Sequence, residues 1–436
     1  MRARLLVWLL LALPALVFPR YKPWYNFYNF SYGAKARSMG NAFVAVADDL
    51  TAAFWNPAGL AAQRAPQFHL GYKTITQRYE YDLHDREFAN DVRLYNFNFH
   101  SRLNQIDYFS ISAPATVFRR PWAFALGYYR YIPYGFKGAV EERITSLNNR
   151  FAPQVTTVTF KGSEGLDVLA FSASAALTGY FSLGATLQQF FSSGSLLRET
   201  VGPEDEYHSQ FTEKLQARNV IVGALFEPFP ALRLGLAWHS GLEAAFLSTR
   251  LFWRVNNLGQ RIGQTEQSTQ AQVVIPEQYS LGALLRPTGW LDVSAEYSRL
   301  DWQKATIDGY YGSEITLPFP QKGDWPLAQQ QSNNLRFGIE ARVPFRTWLL
   351  SLRGGVSLER QLYADIDGEA VGVMGYSAGV GCDLIRNLLL EVTYQRQVAD
   401  WSERGLYSGA PGVGTHYRAN AFFLALTYSF GHVFKE

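Results

Sequence analysis

The sequence predicts an all-β fold: a transmembrane β-barrel of fourteen antiparallel strands with an N-terminal plug, or hatch, of short helices. Three observations lead there. Segments that alternate with period 2 fill most of the chain after residue 65, short turns alternate with longer polar connections, and an alanine-rich stretch with helix-capping residues precedes the first strand.

The alternation is clearest at residues 290–298. There Leu291, Val293, Ala295 and Tyr297 interleave with Asp292, Ser294, Glu296 and Ser298, which gives one lipid-like face and one wet face. Phe181, Leu183, Ala185 and Leu187 stand in the same way against Ser182, Gly184, Thr186 and Gln188. So do Leu335, Phe337, Ile339 and Ala341 against Arg336, Gly338, Glu340 and Arg342. Candidate strands fall at 67–81, 104–113, 121–132, 153–176, 180–190, 212–226, 232–242, 268–285, 290–301, 332–342, 348–358, 371–382, 388–397 and 416–430. A soluble sandwich also alternates, but it seldom carries so many long strands with Tyr, Phe and Trp near their ends.

Short turns are expected at 178–179, 227–230, 286–289, 343–346 and 383–387, alternating with longer polar stretches at 191–211, 243–267 and 302–331. Short turns on the periplasmic side and long loops outside are the outer-membrane arrangement. Composition agrees with a wall that is apolar outside and polar within. Aromatic residues reach 15% while charged residues are only 18%. The net charge of +3 comes from scattered basic residues, which excludes a nucleic-acid footprint. A lone cysteine, Cys382, can form no internal disulfide and no zinc set.

Arg2 and Arg4 ahead of an apolar run at residues 5–17 read as a secretory signal, assigned to residues 1–18 with no clear cleavage site. A membrane-spanning helix needs about 20 apolar residues, and this run is shorter and contains Pro14. The mature chain then divides into a hatch at 19–65, a barrel at 66–431 and a tail at 432–436; the last strand, ending at the aromatic Phe430, resembles a C-terminal assembly signal, except that six residues, 431–436, follow it.

Fourteen strands enclose a lumen wide enough to need blocking, and residues 19–65 are available for that. Asp48 or Asp49 can cap a short helix whose Leu50, Ala53 and Phe54 share a face. Asn56 before Pro57 interrupts it and caps a second helix starting at the proline. A helix-turn-helix lid outside the barrel fits the same letters.

The stretch from Gly33 to Leu60, with Gly40-Asn41-Ala42-Phe43, Ala47-Asp48-Asp49 and Asn56-Pro57-Ala58-Gly59-Leu60, resembles the hatch of the FadL/OmpP1/TodX family of outer-membrane channels. The stretch at 275–302 is similar to that family's Pro-Glu strand, Arg-Pro-Thr turn and strand ending in Asp-Trp. The resemblance implies a cell outer-membrane location, hydrophobic small-molecule substrates such as long-chain fatty acids or aromatic hydrocarbons, and hatch-gated lateral release through a kinked third strand. It makes Asn56, Pro57 and Ala58 the hatch motif. Phe43, Phe54 and Trp55 become candidate ligand contacts, with packing against the wall as their other reading. Gly127 and Pro133 lie in or just after the third candidate strand, where a kink can form. The expected partners are outer-membrane lipid and a hydrophobic small molecule. The alternative within the same resemblance is a PorV-like barrel that binds a secreted protein in type IX secretion.

Catalytic chemistry is not expected. Gly375-Tyr376-Ser377-Ala378-Gly379, followed by Asp400 and His416, matches a hydrolase pattern. That motif needs a strand-turn-helix elbow, and strand-like sequence runs through this one. Glu204, Asp205, Glu206 and His208 read as a solvated loop face, so no metal site and no cofactor are expected. Arg233, Asp292, Glu296, Arg336, Glu340, Arg353 and Glu391 all fall on the polar phase of their strands, where they can pair and hold the plug.

Overall fold

Period-2 alternation becomes a closed antiparallel sheet because every second side chain can then face lipid while the rest face a lumen. The computed structural model describes residues 31–82, 92–94, 97–133, 137–146, 154–192, 195–201, 206–256, 258–301, 304, 306–308, 332–346, 348–364, 369–385, 387–403 and 413–430. Within these, fourteen strands close into one barrel.

The first seven are β1 (Gln67–Asp82), β2 (Phe97–Val117), β3 (Arg120–Pro133, continued as Lys137–Ser146), β4 (Gln154–Ser163 and Gly165–Ala176), β5 (Phe181–Ser192 and Ser195–Val201), β6 (Glu206–Phe229) and β7 (Leu232–His239 and Leu242–Val255). The rest are β8 (Arg261–Ile275 and Gln278–Thr288), β9 (Leu291–Leu300), β10 (Ser332–Phe345), β11 (Trp348–Ala364), β12 (Ala370–Ile385), β13 (Leu388–Glu403) and β14 (Val413–Ser429). Each strand pairs with its sequence neighbours, and β14 closes on β1 in continuous register from Gln67↔Ser429 to Asp82↔Gly414. Closure removes the exposed edges that an open sheet would offer to other chains.

The two faces have the predicted polarity. Leu335, Phe337 and Ile339 on β10 stand exposed outward while Arg336 and Glu340 are buried inward, and Asp292, Ser294, Glu296 and Ser298 on β9 are likewise buried. At the short-turn end Phe118, Tyr180, Phe229, Trp290, Phe345, Trp348 and Phe430 all project outward, an aromatic girdle at one membrane interface. Phe337→Arg is expected to cost about 2–4 kcal/mol if this face meets the bilayer midplane. Urea unfolding in liposomes measures it, and an unchanged transition would mean that the residue does not face lipid.

Two expected loops are not loops. Residues 191–211 and 243–267 are largely strand, extending β5 to β8 well beyond the bilayer. β6 alone has 24 residues, roughly 80 Å at ~3.3 Å per residue against a hydrocarbon core of about 30 Å. Above the membrane neither face needs to be apolar, so backbone pairing continues on cross-strand contacts such as His208 stacked on Trp253 and the Thr249–Ser268 hydroxyl pair. Most of 302–331, along with residues 1–18 expected to be a secretory signal, residues 19–30 of the hatch as assigned and residues 431–436, lies outside the described residues.

Candidate functional site

The hatch lies inside the lumen, which settles the choice against an external lid. It contains α1 (Ala34–Ser38), α2 (Ala52–Trp55) and a 3₁₀ turn (Pro57–Ala62), with nearly every side chain from 31 to 61 buried. Asp49 Oδ1 accepts the Thr51 amide at 2.7 Å just ahead of α2. Asn56 makes the corner as its residue type predicts: its Oδ1 accepts the Ala58 amide at 3.2 Å, and Pro57 takes the first helical position, where its missing N–H costs nothing. The Asn56 Nδ2 group donates to Val44 O at 2.8 Å and, across to β6, to Ala224 O at 3.0 Å. The Asn56-Pro57-Ala58 corner is therefore tied both to the hatch and to the wall.

Phe43, Phe54 and Trp55 are only 0%, 5% and 4% exposed. Phe54 packs edge-on to Tyr32 and Trp55, and Trp55 Nε1 donates to Tyr32 O at 2.9 Å. They form the core of the hatch. None lines either of two sizeable cavities. One, of about 780 Å³, opens on the outer face by Leu236, Trp238 and Tyr279. The other, of about 660 Å³, lies at the short-turn end between Ala58, Ala61 and Arg64 of the hatch and residues 118–121 and 176–182 of the wall.

An ionic frame holds the hatch, built from the lumen-phase charges. Glu296 Oε2 accepts the amides of Phe43 and Val44 at 2.8 and 2.9 Å, and its other oxygen meets Arg336 at 2.5 Å. Arg336 also forks onto Glu359, at 2.7 and 2.9 Å. Arg353 joins Glu340 and Glu391, each at 2.6 Å. Hatch residue Lys35 reaches Glu340 at 3.2 Å and Asp48 at 2.7 Å. Burial alone would lower the Lys35 pKa, but the two carboxylates more than offset it and hold the ammonium above its usual range. Arg233 bonds Glu227 and donates to Val46 O. Asp292 pairs with Arg342.

A second device, not foreseen from the residues alone, is a band of lumen-facing glycines where hatch backbone abuts the wall. A Cβ at Gly223 would stand 2.0 Å from Asn56 Oδ1, and one at Gly355 would stand 2.0 Å from Gly40 N. Cβ atoms at Gly184, Gly235, Gly282, Gly338 and Gly379 would also crowd the hatch, at 2.4 to 2.9 Å. Small residues at successive lumen positions of neighbouring strands are the signal that would have found it. Ser377 belongs to this contact and not to a catalytic triad: its hydroxyl donates to Ser38 O at 3.1 Å and accepts the Gly40 amide at 3.2 Å. Its neighbourhood is continuous strand, and Asp400 and His416 pair with each other farther along β13 and β14.

Beside the hatch, the wall is irregular between β2 and β3. Among the described residues their pairs run from the short-turn end to Tyr108↔Tyr129 and are found again at Arg102↔Lys137, spans of unequal length on the two strands. Asp107 is the extra residue of a bulge against β1, whose Gly71 and Tyr72 face Tyr108 and Ile106. The buried Asp107 carboxylate binds hatch residue Arg37 at 2.9 Å and Lys73 at 2.6 Å. Against β4 the register slips between Arg130 and Ile132, and Pro133 pairs with Gly165 just past the slip. Gly127 instead sits in regular ladder, where its missing side chain makes room for the inward Tyr129 ring, against which Tyr32 packs. The irregularity therefore falls at residues 130–133, and Gly127 lies before it.

A closed fourteen-stranded barrel with an apolar belt, an aromatic girdle and a plug clamped in its lumen defines an outer-membrane transport channel. The chain belongs to the outer membrane protein transport protein family (OMPP1/FadL/TodX), whose profile matches residues 26–306. This is a family of outer-membrane transporters of hydrophobic compounds, not of enzymes. Solved structures with the same fold include a Pseudomonas aeruginosa FadL homologue (TM-score 0.59, 16% identity, 90% of this chain and 96% of that one). The toluene transporters TodX of Pseudomonas putida (0.58, 14%, 92% and 99%) and TbuX of Ralstonia pickettii (0.56, 14%, 92% and 99%) are similar too. No curated protein matches the sequence closely enough to count as a relative.

Proposed function

We propose that the chain is a passive uptake channel for hydrophobic small molecules, long-chain fatty acids or aromatic hydrocarbons, in which movement of the hatch frees a lateral exit at the β2–β3 seam. The observation that carries this reading is the Asp107 bulge. A buried carboxylate at an irregular place in the wall grips Arg37 of the hatch, so a shift of the hatch is felt where the ladder is already broken. Pro133, close to the slip in the β3–β4 register, is the third-strand kink of this reading. The Asn56-Pro57-Ala58 corner is its fixed point, bonded to β6. Phe43, Phe54 and Trp55 would meet a ligand only after the hatch core opens. The cavity beneath the hatch offers space for that rearrangement.

Growth and uptake under limiting supply test the reading. Cells lacking the protein should take up fatty acid or hydrocarbon more slowly than wild type, and equal uptake would sink it. Asp107→Asn removes the anion shared by Arg37 and Lys73 and is expected to speed uptake while lowering the melting temperature of the barrel. Native mass spectrometry of the barrel in mild detergent separates the secretion-type alternative, which predicts a bound polypeptide and no apolar ligand. Solved structures of similar fold include a FadL homologue and toluene transporters, which supports the transport reading.

A further inference from the structure

The sequence holds no pair of histidines or cysteines at ligand spacing and predicts no metal site. The fold nevertheless gathers Asp49 of the hatch, His69 near the start of β1 and Glu391 near the start of β13, each offering one oxygen or ring nitrogen within 4.8 Å of the others. All three are steadied from behind. Asp49 Oδ1 accepts the Thr51 amide at 2.7 Å, His69 Nε2 pairs with the Tyr108 hydroxyl at 2.8 Å, and Glu391 Oε1 accepts Arg353 Nη1 at 2.6 Å. The opposite atoms are left over: Asp49 Oδ2 and His69 Nδ1 are buried and, among the described residues, have no hydrogen-bond partner. His69 itself is 0% exposed. Two buried polar atoms without partners, on side chains gathered beside a second carboxylate, are unfavourable unless something cationic joins them.

We propose that Asp49, His69 and Glu391 form a binding site for a divalent transition-metal cation of the zinc class, which pins the hatch to the barrel wall. One imidazole and two carboxylates suit zinc-like cations, whereas calcium and magnesium favour six or more oxygen ligands. Ligand atoms around zinc at ~2.1 Å stand about 3.4 Å apart, so closure on the order of 1 Å completes the site. The Tyr108, Thr51 and Arg353 contacts are the outer partners that orient metal ligands and set the imidazole tautomer. Asp48, beside Asp49, has a side chain 38% exposed, which gives a cation a way in from lumen water. The cation would link the hatch to strands on both sides of β14, a hold separate from the Arg336 and Glu296 frame. The proposal does not depend on what the channel carries.

The test is zinc binding by the full-length folded barrel in mild detergent, stripped with chelator and titrated at micromolar metal. One zinc per chain is expected, with a rise in melting temperature that calcium and magnesium do not give. Asp49→Asn and His69→Gln should each weaken binding by at least about tenfold, and Tyr108→Phe by about tenfold through the outer contact. If His69→Gln fails to fold, Asp49→Asn decides alone, because its side chain keeps the shape of the hatch. Wild-type protein that takes up no zinc, or an Asp49→Asn variant that binds it as well as wild type, overturns the proposal.

Discussion

Replacing Arg336 by methionine is expected to unseat the hatch. The guanidinium is buried and bonds three carboxylate oxygens, with Glu296 at 2.5 Å and Glu359 at 2.7 and 2.9 Å. It also lies 5.7 Å over the ring of Trp55 in the hatch core. A matched buried ion pair adds little net stability, but removing one partner strands the other charges and typically costs about 3–5 kcal/mol. Here two carboxylates are stranded, and one of them also holds the Phe43 and Val44 amides. The strain can be relieved by withdrawing hatch backbone and letting water in. Planar-bilayer recordings should show larger and more frequent openings than wild type, with a lower melting temperature. Arg336→Lys keeps the charge without the forked geometry and should fall between the two. A methionine variant as tight and as stable as wild type would refute the clamp.

Gly355→Ala should reach the same end by sterics. A methyl there would sit 2.0 Å from Gly40 N and 2.3 Å from Met39 C, backbone atoms that cannot swing aside, so the hatch segment at 39–40 must move. The adjacent Gly354 supplies the control. A Cβ there meets nothing nearer than Ile339 Cγ2 at 3.7 Å, ordinary contact on the outer side of the same strand. The first alanine should raise channel conductance and the second should leave it unchanged. Equal effects of the two would show that backbone damage to β11, and not hatch displacement, is responsible.

The barrel was legible in the sequence because lipid and lumen impose opposite demands at adjacent positions. Leu335 through Arg342 and residues 290–298 carried that signal without help from distant contacts, and every candidate strand falls on an observed one. The upper parts of β5 to β8 were not legible, since water on both sides removes the demand for alternation and leaves strand and loop looking alike. Asn56 and Pro57 revealed their corner because capping is local. Glu296 could be assigned to the lumen, but not to the amides of Phe43 and Val44, which arrive from more than 250 positions away. Asp49, His69 and Glu391 were invisible as a group for the same reason. Gly223 and Gly355 were passed over because a glycine on the polar phase reads as neutral until the backbone filling its place is seen.

The continuous β1–β14 register bears on how the cylinder closes. The hatch runs directly into β1, whose partner is β14, so the seam that completes the cylinder joins the first and last of the described barrel strands. Bonds from the hatch reach β6, β9 and β13 at once, through Asn56, Glu296 and Thr393. The hatch thus ties three well-separated stretches of wall to one body, and its shape restrains the curvature at which the first and last strands meet.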